Sequence, residues 1–147
     1  MLAEMIEPIG AGTEPTLWPQ TLIVRTEPVA KGRPRFGNDR TYTPTKTQHA
    51  EWVIRQAWVD AFGEIPSVGP LRLDVVVWLP IPKSLPKSRR QSAQPTKRPD
   101  VDNYAKTVLD GLDGVAYRDD AQIVDLRVRK RYAEFCGYWE IALSEVM

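Results

Sequence analysis

A chain of 147 residues, 42% of them hydrophobic and 27% charged, is long enough for one packed core and too apolar to be disordered. Its net charge of +1 names no partner, and its single cysteine excludes an internal disulfide or a thiolate metal centre and fits a reducing compartment. No apolar run approaches the roughly 18 residues of a membrane span, and the first residues lack a signal peptide's cationic start and apolar core, so the reading is a soluble, cytoplasmic protein with no membrane partner.

In chain order, residues 1 to 18 are rich in Pro, Gly and Glu without periodicity and read as a loose lead-in, with one folded domain over 19 to 147. QTLIVRTE, residues 20 to 27, predicts a first strand. The segment that follows is basic and broken by Gly and Pro, with Lys31, Arg33, Arg35 and Arg40 against one acid, and reads as a loop or irregular hairpin. A helix is predicted next, with Thr43 as a possible cap, Pro44 just inside and Gly63 just past the end. Its buried stripe is Ala50, Val53, Ile54, Ala57 and Ala61.

GPLRLDVVVWLPIP, residues 69 to 82, alternates Leu71, Leu73, Val75, Val77 and Leu79 on one face and is the best strand in the sequence. Beyond it Lys83, Lys87, Arg89, Arg90, Lys97 and Arg98 occur with no acid among them, in a stretch whose serines and prolines argue against regular structure. A second helix is expected from about Asp102 to Asp113, with Gly114 ending it. AQIVDLRVRKRY should turn Val124, Leu126 and Val128 inward and Asp125, Arg127, Arg129 and Arg131 outward, and GYWEIALSE should pair with it across a turn at 134 to 137. The fold class is α+β: a single domain with a mixed sheet, order β-α-β-α-β-β, and two main helices packed mainly on one face.

The chemistry concentrates at KRPDVDNYAK, residues 97 to 106, where Asp100 and Asp102 lie one residue apart although neighbouring carboxylates repel unless a cation sits between them. On a helix begun at Asp102, Lys106 falls about 40° around, Asp113 about 20° and Asp110 about 80°, away from the apolar arc of Ala105, Val108, Leu109 and Leu112. Asp119 and Asp120 follow just before the next strand. Such a set would suit a hard, oxygen-preferring cation, Mg²⁺ or Mn²⁺, and disfavours zinc. Taken singly, either aspartate reads as a helix cap, the Asp102–Lys106 pair as a surface ion pair, and His49 as a surface or packing residue. Capping leaves the second aspartate, the downstream pair and the acid-free basic loop as coincidences. Together they suit phosphodiester hydrolysis on a nucleic acid. No acid is followed two positions later by Lys, so the other common nuclease arrangement is absent.

RPDVDNYAKTVLDGLDGVAYRDDAQIVDLRVRK, residues 98 to 130, closely resembles the core of the RusA family of Holliday-junction resolvases, endodeoxyribonucleases common in phages and prophages; KGRPRF and YTPTKT extend the resemblance over about residues 20 to 143. The resemblance implies Asp100, Asp102 and Asp120 as catalytic, metal-binding acids and Lys106 as the catalytic lysine, supported by Asn103, Asp110 and Asp119. It further implies Mg²⁺ dependence, a homodimer, and paired nicks across a four-way DNA junction during recombination and repair. Lys31, Arg33, Arg35, Lys83, Lys87, Arg89, Arg90, Lys97 and Arg98 are the DNA-binding candidates. The alternatives are a branched-DNA binding protein that does not cut and a carboxylate-metal phosphohydrolase of nucleotides.

Overall fold

The computed structural model describes residues 18–33, 35–37, 40–42 and 44–146, without the side chains of Arg35, Arg40 and Tyr42. The lead-in expected over 1–18 therefore lies, apart from Trp18, outside the described residues, as do the Thr43 cap and the Arg35 side chain. Strand β1 is Gln20–Val24, a short hairpin joins β2 (Arg35–Gly37) to β3 (Arg40–Tyr42), and helix α1 is Thr45–Phe62. Strand β4 (Leu71–Pro80), helix α2 (Val101–Leu112), β5 (Ile123–Ala133) and β6 (Tyr138–Glu145) complete the domain. No helix among the described residues is long and apolar enough to cross a membrane.

The alternation of β4 decides the layers. Leu71, Leu73, Val75 and Val77 are fully buried on one face and meet Ile54 and Trp58 of α1, Tyr104, Val108 and Leu112 of α2, and Trp139, Ile141 and Leu143 of β6 in one cluster. Each such aliphatic side chain stabilises the fold by roughly 1.5–3 kcal/mol. The sheet's opposite face carries polar cross-strand pairs: Arg72 donates to Asp125 at 2.7 Å, Arg129 to Asp74 at 3.2 Å, and the Trp78 indole to Glu140 at 3.0 Å. The hydrogen bond from Arg72 holds the Asp125 carboxyl below the usual carboxylate range. Both helices thus lie against one face of a mixed sheet, as predicted.

The strand order is β1-β6-β4-β5, with β4 parallel to β5 and β6 antiparallel to both β1 and β4. This corrects the expected β5–β6 hairpin. Trp139, Ile141 and Leu143 need cover on both flanks, and they gain it by inserting between β1 and β4 rather than lying outside β5. Gly137 permits the crossing: a Cβ there would stand 2.8 Å from the Trp78 carbonyl oxygen and 3.1 Å from Pro80, so only glycine lets the chain pass over the end of β4.

Strand β5 is consequently an edge, and its pattern departs from expectation. Val128 packs against the core, but Val124 and Leu126 are exposed. Ile123 pairs with Leu71 and Asp125 with Arg72, which leaves Val124 as the extra residue of a bulge. Helix α1 buries Thr47, Ala50, Ile54 and Trp58, so its stripe runs through Trp58 and leaves Ala61 exposed. Helix α2 approaches α1 closely at Gly111, where an added Cβ would stand 3.0 Å from the Glu51 carbonyl oxygen. The basic stretch expected to lack regular structure holds a 3₁₀ turn, Lys87–Arg89, begun by Pro86 and fixed by an Arg90 hydrogen bond to the Leu85 carbonyl.

Candidate active site

Asp100 occupies the N-cap of α2 with extended backbone angles, the place where an aspartate usually accepts a hydrogen bond from the first turn. Its carboxylate makes no such bond; only its carbonyl oxygen accepts, from Asn103 and Tyr104. Asp102 follows in the first turn, exposed, and neither carboxylate has an ion-pair or hydrogen-bond partner among the described residues. The capping explanation therefore fails for both.

Four residues beyond Asp102, Lys106 projects from the same flank of α2. Its ammonium lies 3.5 Å from Asp110 Oδ1 and 3.9 Å from Asp120 Oδ2. Both separations exceed the 2.7–3.2 Å range of an N–H···O hydrogen bond, so Lys106 is held by charge without being locked in place. Lys31 takes the closer position on Asp110, 2.9 Å from Oδ2, and also bonds Glu51 of α1. Its backbone N–H donates to the Asn103 carbonyl. Lys31, expected at a DNA surface, instead spends a half-buried ammonium tying the root of the β2–β3 hairpin to α1 and α2; its flanking acids raise its pKa against the lowering effect of burial, which is the largest single influence.

The turn that delivers Asp120 is built by its neighbours. Asp119 accepts from the Ala121 N–H at 2.9 Å, while the Gln122 side chain accepts from the N–H groups of Arg118 and Asp119 and donates to the carbonyls of Ser67 and Gly69. Asp119 and Gln122 are thereby committed to the turn, and Asp120 is left to face Lys106. Partial burial, then Asp119, push the Asp120 carboxyl above the usual range, while Lys106 pulls it back. The structure brings Lys106, Asp110 and Asp120 together. Among the described residues no three acidic, imidazole or thiol groups converge tightly enough to cage a metal unaided, so Asp100 and Asp102 do not form a closed cluster with Asp120.

Three further residues shape this region. Arg55 of α1 donates to the carbonyl of Asp113 at 2.8 Å, satisfying the C-terminal end of α2 from a neighbouring helix. Tyr117, fully buried, donates to the Leu109 carbonyl at 2.7 Å; burial and the acids around it push its hydroxyl far up, so it stays neutral beneath them. Lys130 of β5 donates to the carbonyls of Lys97 and Pro99 at 2.8 and 2.9 Å and fixes the chain just before Asp100. Of these only Tyr117 left a sequence signal, an aromatic residue two positions ahead of Asp119. The exposed cations Arg33, Lys83, Lys87, Arg89, Lys97 and Arg98, and the half-buried Arg90, have no ion pair among the described residues.

The profile of a family described as "Endodeoxyribonuclease RusA" matches residues 25–143, which span the hairpin, both helices and every acid above. The chain belongs to the RusA endodeoxyribonuclease family. It is also similar to the "Uncharacterized protein YqaN" of Bacillus subtilis (strain 168), 38% identical over 119 residues that cover 74% of this chain and 84% of that relative. If the reaction of this RusA-family endodeoxyribonuclease uses Asp100, Lys130, which holds the Pro99 carbonyl, would be a positioning residue for it. Lys130→Met, which keeps the packing stem and removes the ammonium, should lower the cleavage rate on the order of tenfold to a hundredfold with DNA affinity unchanged. Single-turnover rates beside binding titrations check this; a parallel fall in affinity would assign Lys130 to phosphate attachment instead.

Proposed function

We propose that this protein is a Mg²⁺-dependent, structure-selective endodeoxyribonuclease that resolves four-way DNA junctions by paired phosphodiester hydrolysis as a homodimer. The observation that carries the reading is the pair of carboxylates, Asp100 and Asp102, left without protein partners at a helix start beside a loosely held lysine. Asp100, Asp102 and Asp120 offer only hard carboxylate oxygens, a donor set that fits Mg²⁺, with Mn²⁺ as substitute. Bound there, the cation supplies the Lewis acidity that phosphodiester hydrolysis requires at neutral pH.

The chain's own groups supply the rest. Lys106, free of short hydrogen bonds, can swing toward a phosphate and offset charge developing on its oxygens. Lys31 shares Asp110 with Lys106, bonding Oδ2 at 2.9 Å while Lys106 stands 3.5 Å from Oδ1, and so weakens the hold of that carboxylate on Lys106. The unpaired cations of residues 83–98 attach the DNA backbone on the approach to Asp100. A two-fold dimer would present two equivalent sites to two strands of like polarity at a junction that is itself close to two-fold symmetric.

The deciding assay incubates the protein with a synthetic four-way junction, beside duplex and flap controls, with Mg²⁺ or Mn²⁺. Symmetric nicks confined to the junction support the reading; a junction that is bound and never cut rejects it in favour of a non-cleaving binder. Replacing Arg89 and Arg90 together by Ala should lower the slope of log affinity against log salt by about two units, ~0.9 for each phosphate no longer neutralised. Binding measured across a salt series gives the slope, and an unchanged value removes these arginines from the DNA surface.

A further inference from the structure

A cleft of about 570 Å³ opens between the segment before the hairpin, the start of α1 and the start of α2, and the chemistry above does not use it. Pro28, Pro44, Pro99 and the Tyr104 ring supply its apolar walls, and Arg33 and Lys46 stand on it. Both cations are exposed and have no ion pair among the described residues, so the rim calls for an anion. The volume lies within the roughly 300–1,000 Å³ of small-molecule sites. The walls are rigid: Tyr104 is buried with its ring edge-on to Trp139, 6.0 Å between centroids, and Lys130 fixes the Pro99 carbonyl. Burial, then Glu27, raise the Tyr104 pKa, so its hydroxyl remains protonated. Pro99 immediately precedes Asp100, which places the cleft one residue from the unpartnered carboxylates.

Flat apolar walls, a cationic rim and carboxylates alongside match a nucleotide better than a peptide or a free phosphate. We propose that this cleft receives one unstacked nucleotide of the strand to be cut, its base against the proline and Tyr104 walls and its phosphates against Arg33 and Lys46. The inference rests on the endonuclease reading and adds a second selection step to it. Turning a base out of a duplex is unfavourable, and least so where pairing or stacking is already broken, as at the centre of a branched DNA. A cleft that must be filled for the phosphate to reach Asp100 therefore favours branch points over intact duplex, independently of the backbone contacts.

The test places 2-aminopurine, which brightens when unstacked, at each nucleotide around the branch of a four-way junction, and titrates wild-type protein in EDTA. The expected result is a severalfold rise at one position beside the cut mapped separately with Mg²⁺. Val29→Trp, which fills the cleft, should return that signal to the free-junction level and weaken binding roughly tenfold, the order of one stacked base. The double substitution Arg33→Ala and Lys46→Ala, at exposed positions that leave the fold intact, should lower the salt slope by about two units. A junction that is cut while no position brightens, or brightening that survives in Val29→Trp, overturns the cleft and leaves the nuclease reading standing. Brightening that Val29→Trp abolishes, in a protein that never cuts, upholds the cleft and rejects the nuclease.

Discussion

Exchanging Asp100 or Asp102 for Asn should slow DNA cleavage by roughly 10²–10⁴-fold, since losing a carboxylate that would hold the cation forfeits several kcal/mol of charge stabilisation, while junction binding stays as tight as wild type or tightens. Asn keeps the shape of the side chain and removes its charge. Because neither carboxylate bonds to the protein, the fold loses only the charge's attraction to the N-terminus of α2, about 0.3–1 kcal/mol, and the melting temperature should fall by no more than about 4 °C. A polyanionic substrate is repelled by unscreened carboxylates, so neutralising one favours binding even as it removes chemistry. Cleavage rates on a synthetic junction, binding in EDTA and a thermal melt form the complete set of readings. Equal cleavage by wild type and Asp100→Asn would take the reaction away from this end of α2.

The largest expected effect on stability comes from Trp58→Ala. Trp58 is 1% exposed, packs on Phe62 with 4.5 Å between ring centroids, and belongs to the cluster that joins α1 to the sheet. Emptying that volume should cost about 3–5 kcal/mol. For a domain of this size each kcal/mol is worth about 2–4 °C, so a melt should shift down by roughly 6–20 °C. Cleavage should fail at the same lowered temperature, since α1 carries Glu51 and Arg55, which hold Lys31 and the end of α2. Trp52→Ala, on the exposed side of the same helix, should change stability by no more than about 0.5 kcal/mol. Equal losses at both positions would show that α1 is not docked through its Trp58 face.

Whether a feature is readable from the sequence depends on whether its signal is local. The period-2 pattern of β4 and the helical spacing of Ala105, Val108 and Leu112 are local, and both elements stand within two residues of their expected bounds. That a helix running into a strand brings Asp120 back to the flank of α2 is also readable, but the sequence joins it to Asp100 and Asp102, whereas the contact formed is with Lys106. The position of β6 is not, because GYWEIALSE is compatible with pairing on either side of the sheet, and the choice rests on how Trp139 and Ile141 are covered from afar. Lys31 reads as a DNA contact because a basic segment gives no sign of Glu51 and Asp110 waiting on two helices. Val124 reads as inward because strict alternation has no room for a bulge. Trp58 does not stand out because the small residues beside it already complete a helical stripe.

The strand order also governs when the molecule can exist. Strand β6 follows every other described strand in the chain yet lies inside the sheet, joining Gln20 to Leu143 and Leu71 to Glu145. Pairings so distant along the chain form slowly, and no partial sheet that lacks β6 can join β1 to β4. During synthesis the acids at 100 to 120 emerge well before the strand that closes the sheet over their supporting core. A growing chain that has reached residue 120 therefore carries the acids while lacking the strand that assembles the sheet beneath them, and the arrangement around Asp100 and Asp120 waits on the synthesis of β6.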